Sequence, residues 1–187
     1  MTISVPTSGY IGLVVRGKTS RGHHPGVMEQ HADCILSTGA PVGFYGTGRG
    51  TSGSGSTGMG MSGIVYDFSM LLRYRPYYID IVEAKKYSMK STIAMVQVVP
   101  AEARAFDAAW ATMSGSPGGF AILGNNCSTH ASKAFVAAGI LPGGIPGLDT
   151  PDNLFEQLVT STRKTLVYSG YVGFVPRGAG YDVQVDP

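Results

Sequence analysis

A run of glycine, serine and threonine, GTGRGTSGSGSTGMGMSG at 46–63, is the feature that most constrains the fold of this chain. Its small polar residues cannot bury enough apolar area to offset the entropy lost on ordering, so the run predicts a mobile loop. The glycines are spaced closely enough to cradle a phosphate, but neither GK[ST] nor a helix opening follows them. A flexible flap or plain linker is therefore the better interpretation.

The whole chain has the composition of one globular domain spanning 1–187. It has 187 residues, of which 43% are hydrophobic and only 14% charged, so it predicts a real core and a weakly charged surface. The net charge of +2 comes without a basic run that would follow a phosphate backbone, so no nucleic-acid partner is expected. The N-terminus lacks the pattern of a Sec signal, and its apolar piece 11–15 is too short for a transmembrane segment.

Hydrophobic patterning divides the chain into strands and helices. Short runs rich in β-branched and apolar residues predict strands at 10–16, 31–36, 42–45, 91–99, 165–175 and 181–185. Apolar residues at helical spacing predict helices over 101–113, from Cys127 to a stop at Gly139, and over 153–159. The turn-like STGAP between the second and third strands indicates a hairpin.

Cys127, one of two cysteines, stands at the predicted start of a helix behind two asparagines. A helix N-terminus favours a thiolate through its free N–H groups and its dipole, so this location activates a thiol that is otherwise mostly protonated at neutral pH. Asn125 and Asn126 are candidates to cap the helix, and an Asn side chain or a neighbouring amide is a candidate oxyanion donor. The pattern predicts a nucleophilic cysteine.

A nucleophilic thiol also needs a base, and the chain offers four histidines. His31 is our choice, because it begins a predicted strand whose rigid backbone can aim the ring at a helix terminus across a cleft. His130, about one helical turn after Cys127, either touches the thiol or covers the helix end. His23 and His24 precede a proline in a polar loop, where simple surface residues are expected.

Other uses of these residues are poorer interpretations. Cys34, between Asp33 and Ile35, is expected to be a buried small hydrophobe, and a bridge between the two cysteines is not expected in a domain of this size. No CxxC, HExxH or His-x-His pattern points to a metal, and no GxSxG elbow points to a serine nucleophile. No cofactor is predicted.

The order of the motifs resembles that of the circularly permuted papain-like thiol hydrolases, the permuted NlpC-like group related to lecithin-retinol acyltransferase-like proteins. The matching pieces are 31-HADCIL-36 followed by 43-GFYG-46, then 125-NNCSTHASKAFVAAGI-140, and 150-TPDNLFEQL-158. The resemblance covers about 22–159, and the cysteine helix is its most specific part.

The resemblance implies an α+β fold in which the cysteine helix packs against an antiparallel sheet. It implies Cys127 as nucleophile, His31 as general base and later acid, and Asn126 at the helix cap or oxyanion site. The third polar residue that orients the histidine is not placed by any motif, and Asp67, Glu83 and Tyr45 are all candidates.

The resemblance also implies a substrate class. Relatives cut peptide amides in bacterial cell walls, and several are antibacterial effectors injected by type VI secretion. We therefore expect a peptidoglycan peptide amidase, made in the cytoplasm and delivered to a target periplasm, with an immunity protein and a secretion carrier as partners. A lipid hydrolase or acyltransferase is the enzymatic alternative, favoured by the aromatic-rich 66–79. A binding module with a buried, inert cysteine is the non-catalytic alternative.

Overall fold

A computed structural model describes residues 1–18, 30–47, 61–121, 124–143 and 150–187. Most of the glycine-rich run lies outside the described residues, and so do His23 and His24. None of the helices in the described ranges combines the length and apolar character needed to cross a bilayer.

Nine strands of the described residues form an antiparallel sheet, and helices complete an α+β fold. The strands are β1 (Ile3–Val5), β2 (Tyr10–Arg16), β3 (His31–Ile35), β4 (Pro41–Gly46), β5 (Met61–Tyr66), β6 (Ser91–Gln97), β7 (Gly119–Phe120), β8 (Thr165–Arg177) and β9 (Gly180–Asp186). Their order across the sheet is β1-β9-β8-β6-β2-β3-β4-β5-β7. The strands that follow one another through β2, β3, β4 and β5 are therefore neighbours, and they occupy one half of the sheet.

Five α-helices in the described ranges pack on the two faces of this sheet. They are α1 (Phe68–Tyr74), α2 (Ile81–Lys86), α3 (Pro100–Gly115), α4 (Cys127–Ala137) and α5 (Pro151–Val159), with a short 3₁₀ helix at Pro76–Tyr78. One apolar cluster joins Leu13 to residues of α3, α4 and α5, while a second joins Val14 to Leu71 of α1 and Ile79. Neighbouring residues of β2 thus face opposite cores, as the alternation of a pleated strand requires.

The hairpin expected from STGAP is β3–β4. Leu36 N–H donates to Ala40 O at 2.9 Å, and Gly39 takes a φ of 82°, a left-handed conformation that glycine adopts without steric cost. The predicted strand 10–16 coincides with β2, and the predicted helix 101–113 lies within α3.

The glycine-rich run differs from the prediction at its end. Met61 to Gly63 belong to β5, so they are ordered strand rather than loop. Gly63 pairs with Gly46, donates its N–H to Gly118 O at 2.8 Å, and lies against the Phe44 ring, where a Cβ would be 2.2 Å from Cζ. Composition missed this because the glycine there is selected for close approach to an aromatic ring, not for flexibility.

Candidate functional site

The N-terminus of α4 places a sulfur at the end of the helix dipole. Asn126 is the N-cap, and its side-chain oxygen accepts from Thr129 N–H at 3.0 Å and from Thr129 Oγ1 at 3.2 Å. Cys127 is consequently the first residue of the helix, and its side chain is 8% exposed. The amides of the first helical turn and the helix dipole favour negative charge at this position.

The Cys127 sulfur lies where β3 and β4 stop pairing. The β3–β4 ladder ends at the pair Asp33 and Gly43, and the next amide along β3, Ala32 N–H, donates to Cys127 Sγ at 3.5 Å. In a continued ladder that amide would bond to β4. Because the ladder ends here, the Ala32 amide donates its hydrogen bond to the Cys127 sulfur instead of to β4.

His31 lies at this end of β3, next to Ala32, and the charges of His31 and Cys127 each shift the pKa of the other side chain. Its Nε2 donates to Asp33 Oδ1 at 2.8 Å, which leaves Nδ1 as the ring nitrogen for Cys127. The ring stacks on Tyr45 with centroids 4.2 Å apart, and the side chain is 15% exposed. The structure thus brings together the cysteine and the histidine that the sequence singled out.

The polar partner of His31 is Asp33, which the sequence analysis did not select. It is fully buried and also accepts hydrogen bonds at 2.8 Å from Tyr45 Oη and from Arg16 Nε. Because alternate residues of a strand share a face, the spacing His-x-Asp in a predicted strand was the signal that could have found it.

The three candidates for that role lie elsewhere or play a different part. Asp67 caps α1 by accepting from Met70 N–H at 2.9 Å, and Glu83 lies on α2 with an oxygen 3.6 Å from Lys86 Nζ. Tyr45 is in the site, but it donates to the carboxylate and stacks on the imidazole. Tyr45 therefore stabilises Asp33, and Asp33 is the polar residue that contacts His31.

Charge coupling sets the protonation of the site. Burial opposes every charge here, yet the neighbouring charges outweigh it. The charges of Cys127 and Asp33 raise the pKa of His31 to about 9, and the charges of His31 and Arg16 lower the pKa of Asp33 to about 2. Against the cost of burial, the charge and hydrogen bond of His31 lower the pKa of Cys127 below that of an ordinary thiol. Both shifts act in the direction of a thiolate–imidazolium pair.

Cys34 provides an internal contrast. Both cysteines are free thiols, and Cys34 has no exposed surface in the apolar cluster on the α4 side of the sheet. Burial raises the pKa of its thiol well above the ordinary value, so it stays protonated and inert. The surroundings of the two thiols therefore shift their pKa values in opposite directions.

The remaining polar candidates near α4 have structural contacts. His130 stacks on Phe44 with centroids 3.5 Å apart, and its Nε2 lies 3.2 Å from Pro117 O, while burial lowers its pKa. Asn125 donates through Nδ2 to Gly119 O and accepts from Lys133 Nζ at 3.4 Å. Both residues hold the segment that leads into α4, and neither is the N-cap.

Metal binding and a remote cavity do not provide a better site. Within the described ranges, no three His, Cys, Asp or Glu side chains are grouped to hold a metal ion.

A cavity of about 380 Å³ lies beside α3 and the turn of the β3–β4 hairpin, at the far end of β3 from His31. Its lining is mostly apolar and includes Leu36, Val42, Phe68 and Trp110. The two carboxylates in that lining have structural roles, since Asp67 caps α1 and Asp107 accepts from Ser37 N–H, and neither a cysteine nor a histidine is among the residues that line it.

Gly43 makes room for Asp33, which gives a first prediction. A Cβ on Gly43 would lie 1.9 Å from Asp33 Oδ1, so Gly43→Ala must displace the carboxylate or shift β4. We expect the free energy of unfolding to fall by about 1–3 kcal/mol, measured by urea denaturation. The His31 titration followed by NMR is expected to move below its wild-type midpoint, because a displaced Asp33 no longer favours the imidazolium.

The matched control is Gly115→Ala at the end of α3, where nothing lies within 4 Å of the new Cβ. Both readouts are expected to stay at their wild-type values or, for stability, to rise slightly. If the two glycine variants behave alike, Gly43 has no special relation to Asp33.

Comparisons with known proteins give one structural likeness. No protein-family model and no curated protein sequence matches the chain. The crystal structure of the type VI secretion system effector TseH is similar with a TM-score of 0.47 and 13% identity, over 85% of this chain and 98% of that one. A similarity of this size does not establish a shared fold or activity, so the function must be inferred from the site itself.

Proposed function

We propose that this chain is a cysteine hydrolase that acts by acyl transfer, with Cys127 as nucleophile, His31 as acid and base, and Asp33 as the residue that orients His31. One arrangement carries this proposal: the Cys127 sulfur at a capped helix N-terminus accepts from the amide of Ala32, the neighbour of His31, and His31 Nε2 donates to Asp33 at 2.8 Å. Nucleophile, base and orienting group in that order are the arrangement that activates a thiol for attack on a carbonyl.

The reaction follows from the protonation states. The Cys127 thiolate attacks the substrate carbonyl carbon, and the amides at the N-terminus of α4 stabilise the oxyanion that develops. The His31 imidazolium then gives its proton to the leaving group as the carbon–leaving-group bond breaks, which leaves a thioester. In the second half, neutral His31 takes a proton from water, the hydroxide attacks the thioester, and the acid product leaves with the thiolate restored.

The polar surroundings of Cys127 argue against the inert binding module. A cysteine that serves only as a small hydrophobe is expected in an apolar environment with a raised pKa, as Cys34 is. Cys127 instead accepts an amide hydrogen bond from Ala32 and lies beside an imidazole. A side chain that only fills space in the core does not need these polar contacts, so a chemical use explains them better.

Alkylation against pH tests the thiolate. We expect iodoacetamide to modify Cys127 at pH 6 faster than it modifies a cysteine in an unstructured peptide, because the thiolate persists at lower pH in the site. Peptide mapping by mass spectrometry reports both cysteines separately, and Cys34 is expected to stay unmodified in the folded chain. His31→Ala should remove the excess rate. A Cys127 rate at pH 6 no higher than that of the peptide would refute the proposed nucleophile.

For the substrate we propose a peptide amide of peptidoglycan, cut in the periplasm of a target bacterium by the chain acting as a secreted antibacterial effector. The support is the resemblance of the motifs at 31–36, 43–46 and 125–140 to permuted NlpC-like hydrolases. A dedicated secretion carrier and an immunity protein in the producing cell would follow from this role.

A lipid ester remains a second candidate because one surface observation favours it. The segment from α1 to α2 exposes four large apolar side chains together with basic ones, an arrangement that suits a membrane surface. The exposed apolar residues are Leu72, Tyr74, Val82 and Tyr87. Separate incubation with purified sacculi and with phospholipid vesicles decides between the two: new amines from sacculi support the amidase, and free fatty acid from vesicles supports the lipid enzyme.

A further inference from the structure

Arg16 is a buried cation behind the proposed site. It lies at the end of β2 directly opposite His31, and its side chain is 1% exposed. Its Nε donates to Asp33 Oδ2 at 2.8 Å, and its Nη1 donates to Tyr78 O at 2.6 Å. A fully buried guanidinium carries a large desolvation cost, so its presence calls for a specific electrostatic partner.

Four ionisable groups lie in a row near the ends of β2 and β3. Arg16 contacts one oxygen of Asp33, His31 contacts the other, and the Cys127 sulfur lies beside His31, 3.5 Å from the amide nitrogen of the neighbouring Ala32. With Cys127 as thiolate the charges along this row alternate and sum to zero. A buried cluster of balanced charge is far less costly than one with a net charge, because each ion is compensated at short range.

We propose that Arg16 is a positioning residue for the hydrolase, which acts through Asp33 and supplies the positive charge that lets the buried row hold a Cys127 thiolate. Without that charge, the row Asp33–His31–Cys127 carries a net negative charge, and one proton restores neutrality. Of the two anions, the thiolate has the higher intrinsic proton affinity, so it is the natural acceptor. This inference rests on the proposed function, since a cysteine with no chemical role needs no such balance.

The other titratable or charged groups that face these four residues do not replace the positive charge of Arg16. They are Cys34 on β3, Tyr45 on β4, Tyr77 and Tyr78 of the 3₁₀ helix, and Arg75 just before it. Burial raises the pKa of Cys34, Tyr45 and Tyr78, so these groups stay neutral. Arg75 donates to Tyr77 Oη at 2.8 Å and lies 6.0 Å from the Tyr45 ring centroid, so an aromatic ring separates it from Asp33.

The test is the pH dependence of Cys127 alkylation in Arg16 variants of the full chain. Arg16→Met keeps an unbranched apolar stem and removes the charge, and we expect iodoacetamide labelling at pH 6 to slow by about tenfold or more, with the rate recovering at high pH. Arg16→Lys retains the charge and is expected to keep most of the wild-type rate at pH 6. Arg75→Met, the matched control, removes a cation outside the row and is expected to change the rate by less than about twofold.

A second variant separates charge balance from simple damage. Arg16→Met combined with Asp33→Asn removes one charge of each sign, so the His31–Cys127 pair is again balanced, and labelling at pH 6 is expected to return toward the wild-type rate. Damage to packing would make the double variant slower than either single one. That result, or an unchanged rate in Arg16→Met, overturns the role of Arg16.

The outcomes for Arg16 and for the proposed function are distinguishable. If wild-type Cys127 is itself no more reactive at pH 6 than a peptide thiol, the proposed function fails before Arg16 is considered. If Arg16→Met does not fold, as judged by circular dichroism, the comparison moves to the Asp33→Asn background. In the Asp33→Asn background, Arg16→Met is expected to slow iodoacetamide labelling of Cys127 at pH 5, because it removes an excess positive charge. An unchanged labelling rate would overturn the role of Arg16.

Discussion

Replacing Cys127 by alanine is expected to abolish product release from whichever of the two materials, sacculi or vesicles, the wild-type chain cleaves. The alanine side chain provides no nucleophile, so no thioester forms, and kcat is expected to fall by roughly four orders of magnitude or more. The measurement is mass spectrometry of new amines or free fatty acid after long incubation at high enzyme concentration. Thermal unfolding should show a folded chain, because the substitution removes a small, polar-contacting group at a helix start.

Cys34→Ala is the matched control for this prediction. It deletes the same atom from a fully buried position in the apolar cluster, so it is expected to lower the free energy of unfolding by about 1–2 kcal/mol and to leave turnover near the wild-type value. Retained turnover in Cys127→Ala, or equal losses in the two variants, would show that Cys127 is not the nucleophile.

Asp33→Asn is expected to have the next largest effect, a fall in kcat of roughly 10³-fold. The asparagine keeps the shape of the side chain but loses the charge that holds His31 in its donating orientation and favours its protonated form. Turnover needs that proton for the leaving group, and His31 with a raised pKa keeps it until the pH rises through about 9. The alkaline limb of the pH–rate profile, expected near pH 9 in the wild type, should therefore move to lower pH in the variant.

Alkylation separates this effect from loss of the site. Asp33→Asn leaves Arg16 and His31 as cations near Cys127, so labelling at pH 6 is expected to persist while turnover is lost. Asp107→Asn is the matched control, because its carboxylate accepts from Ser37 N–H at 3.1 Å at the far end of the β3–β4 hairpin. It should leave the pH–rate profile unchanged. An alkaline limb that stays in place in Asp33→Asn would mean that Asp33 does not set the proton affinity of His31.

The glycine and tyrosine that follow the His31 strand acquire a physical meaning from these contacts. Gly43 leaves space for the Asp33 carboxylate, and Tyr45 donates a hydrogen bond to it and stacks on His31. The motif at 43–46 thus acts through Asp33. This explains how a Gly-Phe-Tyr sequence on one strand belongs with a histidine on its neighbour, a relation that composition alone does not contain.

Local sequence determined the pieces of the candidate site. An asparagine before an apolar period of 3.6 predicts a capped helix that begins at Cys127, and β-branched runs around a turn predict the β3–β4 hairpin, because caps, turns and periodicities depend on residues close in sequence. Local sequence also predicted that Cys34 would be buried, since it lies inside an apolar run.

Tertiary structure alone decided how the pieces meet. The spacing of His31 and Asp33 places both side chains on one face of β3, and the tertiary structure decided that Asp33 contacts His31 while Asp67 caps α1 and Glu83 lies on α2. The ladder ends at Asp33 and Gly43, which frees the Ala32 amide for the sulfur, and Arg16 arrives from β2 through the register of a third strand. Register and strand order arise from long-range packing across the whole sheet, and no short stretch of the chain encodes them.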